Sequence, residues 1–293
     1  MVGVERRTEV AHLRAGPVEY RLERHADATV VVFHGGHLRA GLSLGEDVFT
    51  EHGCSVLVPS RPGYGRTPLQ TGPSPHDFAD AMAELCQHLG IDHVAAVVGI
   101  SAGGRAALAM AARHPQLVQR LVLESAVGFL PWPDRRTSLA ANIVFTARTE
   151  KATWSAVRAL VRFAPPLGLR LLLGDLSTKR GKDVLAALTD EERATLVALF
   201  SRMRSGKGFI NDLRSTRLTP SESIAQPTLV IATRNDGAVS IAHARSLVAN
   251  IPHAELVVSE ADTHLIWFSN DYAMIAGQIQ RFLTADVPEP ERL

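Results

Sequence analysis

The chain of 293 residues carries 31 Lys and Arg against 30 Asp and Glu, with 46% hydrophobic and only 5% aromatic residues. The length suffices for one large core, or for a core with an inserted lid, and a formal net charge of +1 argues against nucleic acid as a partner. The start Met1-Val2-Gly3-Val4-Glu5-Arg6-Arg7 lacks the apolar stretch of a signal peptide, and no run of about 18 apolar residues suits a membrane span, so the expected compartment is the cytoplasm.

In chain order, residues 8–25 read as an antiparallel hairpin with its turn at Ala15-Gly16-Pro17. Thr29-Val30-Val31-Val32-Phe33 is a buried strand that runs into His34-Gly35-Gly36-His37, and Val56-Leu57-Val58 is the next strand, ending at Pro59-Ser60-Arg61-Pro62-Gly63-Tyr64-Gly65. Ser74, Pro75 and Asp77 form a helix start signal, and Phe78, Met82, Leu85 and Leu89 recur at helical spacing behind it. Cys54 precedes a strand and Cys86 lies in this helix; both read as buried small hydrophobes rather than as a disulfide. His93–Val98 is a further strand closing at Gly99, Arg105–Ala112 a strong helix, and Leu121–Ala126 another strand. This alternation predicts a mostly parallel sheet flanked by helices. Residues 128–218 break it: they open on Gly128-Phe129-Leu130-Pro131-Trp132-Pro133, continue helix-like and contain no clear strand. Strands return at Pro227–Ala232 and Ala254–Val258, and Val287–Leu293 reads as a frayed tail.

The chemistry is concentrated at Gly99-Ile100-Ser101-Ala102-Gly103. A strand, a G-x-S-x-G turn and a helix in immediate succession describe a nucleophile elbow, in which small neighbours leave room for a strained turn that lifts the serine hydroxyl off the sheet. The turn also sets that hydroxyl at a helix N-terminus, which favours developing negative charge. Serine needs a base, and the base an orienting acid. With the chain order Ser, acid, His, Asp236 follows one strand and His264 the next. Two other acids compete: Glu124, at the end of the strand after the elbow, and Asp262, which lies so near His264 that it more naturally shapes the loop. His114, His243 and His253 read as surface or helix-end residues.

Together these segments resemble the α/β-hydrolase family over nearly the whole chain. The strand ending in His34-Gly35-Gly36 is similar to that family's oxyanion loop, Ser60–Thr67 to its next turn, and Ala112-Arg113-His114-Pro115 to the close of its elbow helix. The resemblance implies an α/β-hydrolase core at residues 1–127 and 219–293, with a helical cap inserted at 128–218. It implies Ser101, Asp236 and His264 as a triad, and the backbone N–H groups of Gly36 and Ala102 as an oxyanion hole, with His37 as a substitute donor. Relatives place Asp rather than Ser at the elbow in dehalogenases and epoxide hydrolases, so Ser101 argues against those activities.

For the pocket, the candidates are His37, Trp132, Trp154 and Trp267, with Phe268 beside the last; Trp267 and Phe268 have as their alternative the packing of the closing helix. Residues 129–214 hold 15 Lys and Arg against 8 acids, which reads either as a solvated surface or as a lid favouring an anionic substrate. The expected activity is hydrolysis of an ester or related acyl compound, a small-molecule substrate, with no cofactor and no metal. C–C bond hydrolysis, cofactor-free perhydrolysis and lyase chemistry on the same triad remain alternatives, as does a non-catalytic binding protein.

Overall fold

The computed structural model of the chain describes residues 5–133, 149–215, 218 and 224–285. Eight strands build one sheet: β1 Glu9–Leu13, β2 Gly16–Glu23, β3 Thr29–Phe33, β4 Ser55–Pro59, β5 Val94–Ile100, β6 Leu121–Glu124, β7 Thr228–Thr233 and β8 Ala254–Ser259. Their spatial order is β1-β2-β4-β3-β5-β6-β7-β8. β1 and β2 form the predicted hairpin, and β2 pairs antiparallel with β4. From β4 onward every neighbouring pair is parallel. The middle strands read TVVVF, SVLVP and TLVIAT and are buried at every position, as strands covered on both faces must be. Successive side chains go to opposite faces, so β3 alone feeds two cores. Val31 and Phe33 join one cluster, and Val30 and Val32 the other.

The first cluster is completed by α2 (Pro75–His88), α3 (Gly104–Arg113) and α9 (Ile241–Asn250), through Phe78, Met82, Leu85, Leu108, Met110 and Leu247. The second is completed by α1 (Asp47–Glu51) and α10 (Tyr272–Thr284), through Phe49, Ile275 and Ile279. α2 starts where the sequence predicts. The Ser74 hydroxyl accepts from the Asp77 amide at 3.2 Å and the Asp77 carboxylate accepts from the Ser74 amide at 3.2 Å, a reciprocal cap worth about 1 kcal/mol. Cys54 and Cys86 are free and buried, and burial pushes the Cys86 thiol up to about 12.

Between β6 and β7 the described residues hold five helices and no strand: α4 Glu150–Phe163, α5 Pro165–Asp175, α6 Gly181–Ala187, α7 Asp190–Arg202 and α8 Gly208–Arg214. They have a core of their own, with Trp154, Val161, Leu169, Leu173, Leu196 and Phe200 packed together. That core closes onto Leu38, Leu42, Leu44 and Leu265 from the loops after β3 and β8. The helical layer therefore covers the edge of the sheet where the parallel strands end.

The strand after the elbow helix stops at Glu124, the residue the sequence puts at its end, and the segment read on to Ala126 turns away because Ser125 takes a positive φ of 46° and leaves the extended region. Of the two readings for His243, surface or helix end, the structure bears out the helix end and not the surface. His243 is 5% exposed at the start of α9, its Nδ1 accepts the Gly128 amide at 3.1 Å, and burial pushes its pKa down to about 4, so it sits neutral.

Candidate active site

The carboxyl ends of β3, β5, β6, β7 and β8 converge on one patch. Ser101 follows β5 directly, with φ of 53°, and a single 3-10 turn leads into α3. The close approaches explain the glycines around it. A Cβ on Gly99 would sit 2.7 Å from the Ala107 Cβ, and one on Gly35 would sit 2.8 Å from the Ser101 Cβ. Gly103 lies against the Phe33 carbonyl with no space for a side chain. Among the described residues the non-glycine positive φ values are at His37, Ser101 and Ser125. All three follow strands that end at this patch, and such backbone strain, of order 1–3 kcal/mol each, concentrates at functional sites.

His264 lies in the loop after β8. Its Nδ1 bonds Asp236 Oδ2 at 2.6 Å. The other Asp236 oxygen accepts the amides of Ala238 at 2.8 Å and Val239 at 2.7 Å, so both oxygens of this buried carboxylate are occupied. An ionised carboxylate only accepts. Nδ1 therefore carries a proton, and in the neutral imidazole the lone pair falls on Nε2. The backbone of His264 is held at both ends: its amide donates to the Leu176 carbonyl at 2.8 Å, and its carbonyl accepts the Ser125 hydroxyl at 3.0 Å. Among the described residues no hydrogen bond joins Ser101 Oγ to His264; such contacts commonly tighten only when substrate binds.

Glu124, the competing acid, is fully buried and bonds no histidine. Burial pushes its carboxyl up to about 8, with the Glu46 carboxylate adding to the effect and the Trp267 indole opposing it. Asp262 instead pairs with Lys179. The loop after β3 is fixed from below. His34 is buried with Nε2 3.6 Å from Glu46, and Glu46 is further held by Arg21, Ser43 and the Leu44 amide. Burial pushes the Glu46 carboxyl up, but the charges of His34 and Arg21 outweigh it and hold Glu46 well below the carboxylate range. The Gly36 and Ala102 amides have no hydrogen-bond acceptor among the described residues.

An aromatic group closes over the loop. The His37 ring lies 4.1 Å from Phe209 and 5.1 Å from Trp154, and Trp132 lies 6.4 Å from Phe209. The Trp154 indole donates to Ser205 Oγ at 2.7 Å, and Ser205 Oγ is 2.8 Å from His37 Nδ1. Burial, with the Arg61 guanidinium, pushes His37 down to about 3, so this ring is a neutral imidazole. Behind it, Arg61 forks onto Asp212 of α8 at 2.5 and 2.9 Å, Tyr64 donates to the same carboxylate at 2.6 Å, and Arg61 also donates to the His34 carbonyl at 2.7 Å. Among the described residues no group of three or more His, Cys, Asp or Glu could hold a metal ion, and no helix is long and apolar enough to cross a membrane.

A family model described as the alpha/beta hydrolase fold matches residues 28–271. The chain belongs to the α/β-hydrolase fold family. It is 31% identical over 285 residues to the uncharacterized hydrolase YcgS of Bacillus subtilis, covering 96% of this chain and 99% of that one. It is 29% identical over 266 residues to the pimeloyl-[acyl-carrier protein] methyl ester esterase of Aromatoleum aromaticum, covering 86% of this chain and 98% of that one. Among solved structures, an alpha/beta hydrolase fold protein from Nakamurella multipartita superposes with a TM-score of 0.75 at 24% identity, covering 94% of this chain and 99% of that one. The protein is a hydrolase enzyme of this fold.

In this α/β hydrolase the structure brings Asp236 and His264 into contact and gathers His37, Trp132 and Trp154 into one group. Trp267 does not join them. It packs with Ile266 against the sheet core and also against the core of the helical layer, and its indole fills the space that a side chain on Gly45 would need. Phe268 lines a cavity of about 120 Å³ with Leu173, Val184, Leu196, Asp262 and Leu265. Sequence reasoning missed Phe209, Ser205 and Asp212, which lie in a stretch with no recognisable spacing. It also missed the Leu176 carbonyl, a backbone group that leaves no residue signature.

Proposed function

We propose that this α/β hydrolase cleaves an ester or related acyl compound through an acyl-enzyme on Ser101. His264 Nε2 takes the Ser101 proton as Oγ attacks the carbonyl. Asp236 holds the imidazole in the required tautomer and stabilises its cation. The developing oxyanion is held by the Gly36 and Ala102 amides, each donor worth about 2.7–4 kcal/mol of transition-state stabilisation. His264 then protonates the leaving group and activates a water for deacylation. Residues 128–218 act as a cap whose His37-facing aromatics, Trp132, Trp154 and Phe209, shape the acyl or alcohol pocket and exclude water.

The observation that carries this reading is the 2.6 Å bond from His264 Nδ1 to a carboxylate whose other oxygen is already occupied. That arrangement leaves Nε2 as a base at the same end of the sheet as the strained Ser101 turn. The ester class is supported by similarity to the methyl ester esterase of Aromatoleum aromaticum. The test is a series of chromogenic esters of graded acyl length, run beside Ser101→Ala and a fluorophosphonate probe. Wild type should be labelled, and Ser101→Ala should lose both labelling and about 10³-fold or more of turnover with its fold intact. Undiminished hydrolysis by purified Ser101→Ala would overturn the assignment.

A further inference from the structure

The turn between α5 and α6, residues 176–179, touches both loops of the acid–base pair. The single Leu176 carbonyl accepts the His264 amide at 2.8 Å and the Gly237 amide at 3.2 Å. The Thr178 amide donates to the Asn235 carbonyl at 2.9 Å, and Ser177 forms an isolated antiparallel bridge with Asp236 itself. Ser177 Oγ donates to the Asp262 carbonyl and accepts the Lys179 amide, while the Lys179 ammonium pairs with the Asp262 carboxylate. A Cβ on Gly237 would come within 2.6 Å of the Ser177 nitrogen, so the contact is backbone against backbone.

We propose that the 176–179 turn of the helical layer is a positioning clamp that sets the Asp236–His264 contact, so that the layer supports the chemistry as well as shaping the pocket. This rests on the roles proposed above for Asp236 and His264. The physical argument is one of constraint. β7 and β8 each deliver one partner on a loop; their ladder ends at Thr233 and Ser259, and the Thr233 hydroxyl and Asn235 side-chain amide tie the bases of the loops through the Ala261 carbonyl, short of Asp236 and His264 themselves. The carbonyl shared by the amides of His264 and Gly237 adds a tie at the pair itself. Any displacement of α5 and α6, which the turn joins, pulls on both partners together. A misplacement of about 1 Å in such a pair is enough for a loss on the order of a hundredfold.

Two sets of variants test this. Gly237→Ala drives a methyl into the Ser177 backbone and lifts the turn from the acid loop. The double variant Ser177→Ala/Lys179→Met removes the side-chain tethers instead, and Ser177→Thr/Lys179→Arg restores their chemistry. Lys182→Met, on the exposed face of α6, is the control. The proton of the short His264–Asp236 bond gives a far-downfield proton NMR resonance, which reports the contact without substrate. We expect kcat to fall about tenfold to a hundredfold with KM nearly unchanged, and the resonance to move upfield or broaden. Thr/Arg should rescue both, and Lys182→Met should leave both alone. If Gly237→Ala unfolds, the double variant gives the decision. Wild-type kcat and resonance in folded clamp variants would overturn the clamp while Asp236→Asn still abolishes activity; an active Asp236→Asn would overturn the underlying roles instead.

Discussion

Replacing Asp236 by Asn tests the acid–base pair most sharply, because the structure dictates how the amide must sit. One Asp236 oxygen is held by the Ala238 and Val239 amides at 2.8 and 2.7 Å, the other by His264 Nδ1 at 2.6 Å. Asn can keep its carbonyl oxygen on the two backbone amides, which turns its NH₂ toward His264. The alternative flip faces the NH₂ with two N–H donors and strands both in a buried site, at about 1–3 kcal/mol each. The first orientation wins. His264 must then accept at Nδ1 and carry its proton on Nε2, where it cannot take one from Ser101. A tautomer trapped in this way lowers kcat by about 10⁴-fold, or roughly 5 kcal/mol of activation free energy. Because the carbonyl keeps both amides, the melting temperature should change little. The assay is steady-state hydrolysis of a chromogenic ester with the melting curve recorded on the same preparation. Retention of a tenth or more of wild-type kcat, or a larger loss in Glu124→Gln than in Asp236→Asn, would refute the reasoning.

Glu124 should instead govern stability against pH. Its carboxyl titrates near 8 when folded against a reference value of 4.5. The unfolded chain therefore gives up this proton first, and stability falls as pH rises from about 4.5 to 8, by on the order of 5 kcal/mol at most. Glu124→Gln removes that slope, so its stability advantage over wild type in urea melts should widen from pH 5 to pH 8; a constant difference would count against a buried neutral acid. Asp212→Asn leaves the buried Arg61 guanidinium without its counter-charge and should cost about 3–5 kcal/mol in chemical denaturation; a change under 1 kcal/mol would mean the pair is solvated. Trp154→Phe keeps an aromatic ring, though a smaller one, and loses the bond to Ser205, so it should reorder a panel of esters while the rate of fluorophosphonate labelling stays within about threefold; equal effects on both would place Trp154 in the chemistry.

What the sequence reveals here follows from the range of the forces involved. Strands such as Thr29–Phe33 and the capped start at Ser74 are set by local propensity and burial, and they appear where the pattern puts them. The pairing of Asp236 with His264 is legible because consecutive parallel strands deliver their loops to the same edge. The end of β6 at Glu124 is legible but its cause is not, since Ser125 leaves the strand to bond the His264 carbonyl, a partner 139 residues away. For Trp267 the sequence leaves pocket lining and packing as alternatives, because position after the base cannot tell whether an indole turns to the mouth or toward Gly45. Phe209 and Asp212 depend on where α8 docks, and only the assembled layers decide that.

The Arg61–Asp212 fork bears on how this molecule could be rebuilt. Arg61 belongs to the sheet-bearing part of the chain and Asp212 to the helical layer, and each is only 7% exposed. A chimera that exchanged the helical layer for another would treat it as a detachable module. In this chain such a graft must bring a carboxylate to the position of Asp212, because the recipient otherwise inherits a dehydrated guanidinium beneath its own His34 carbonyl. The same requirement couples the two parts in unfolding. Loosening the layer exposes an unbalanced charge at the base of the β3 loop, so the sheet and the helices should melt in one transition rather than two.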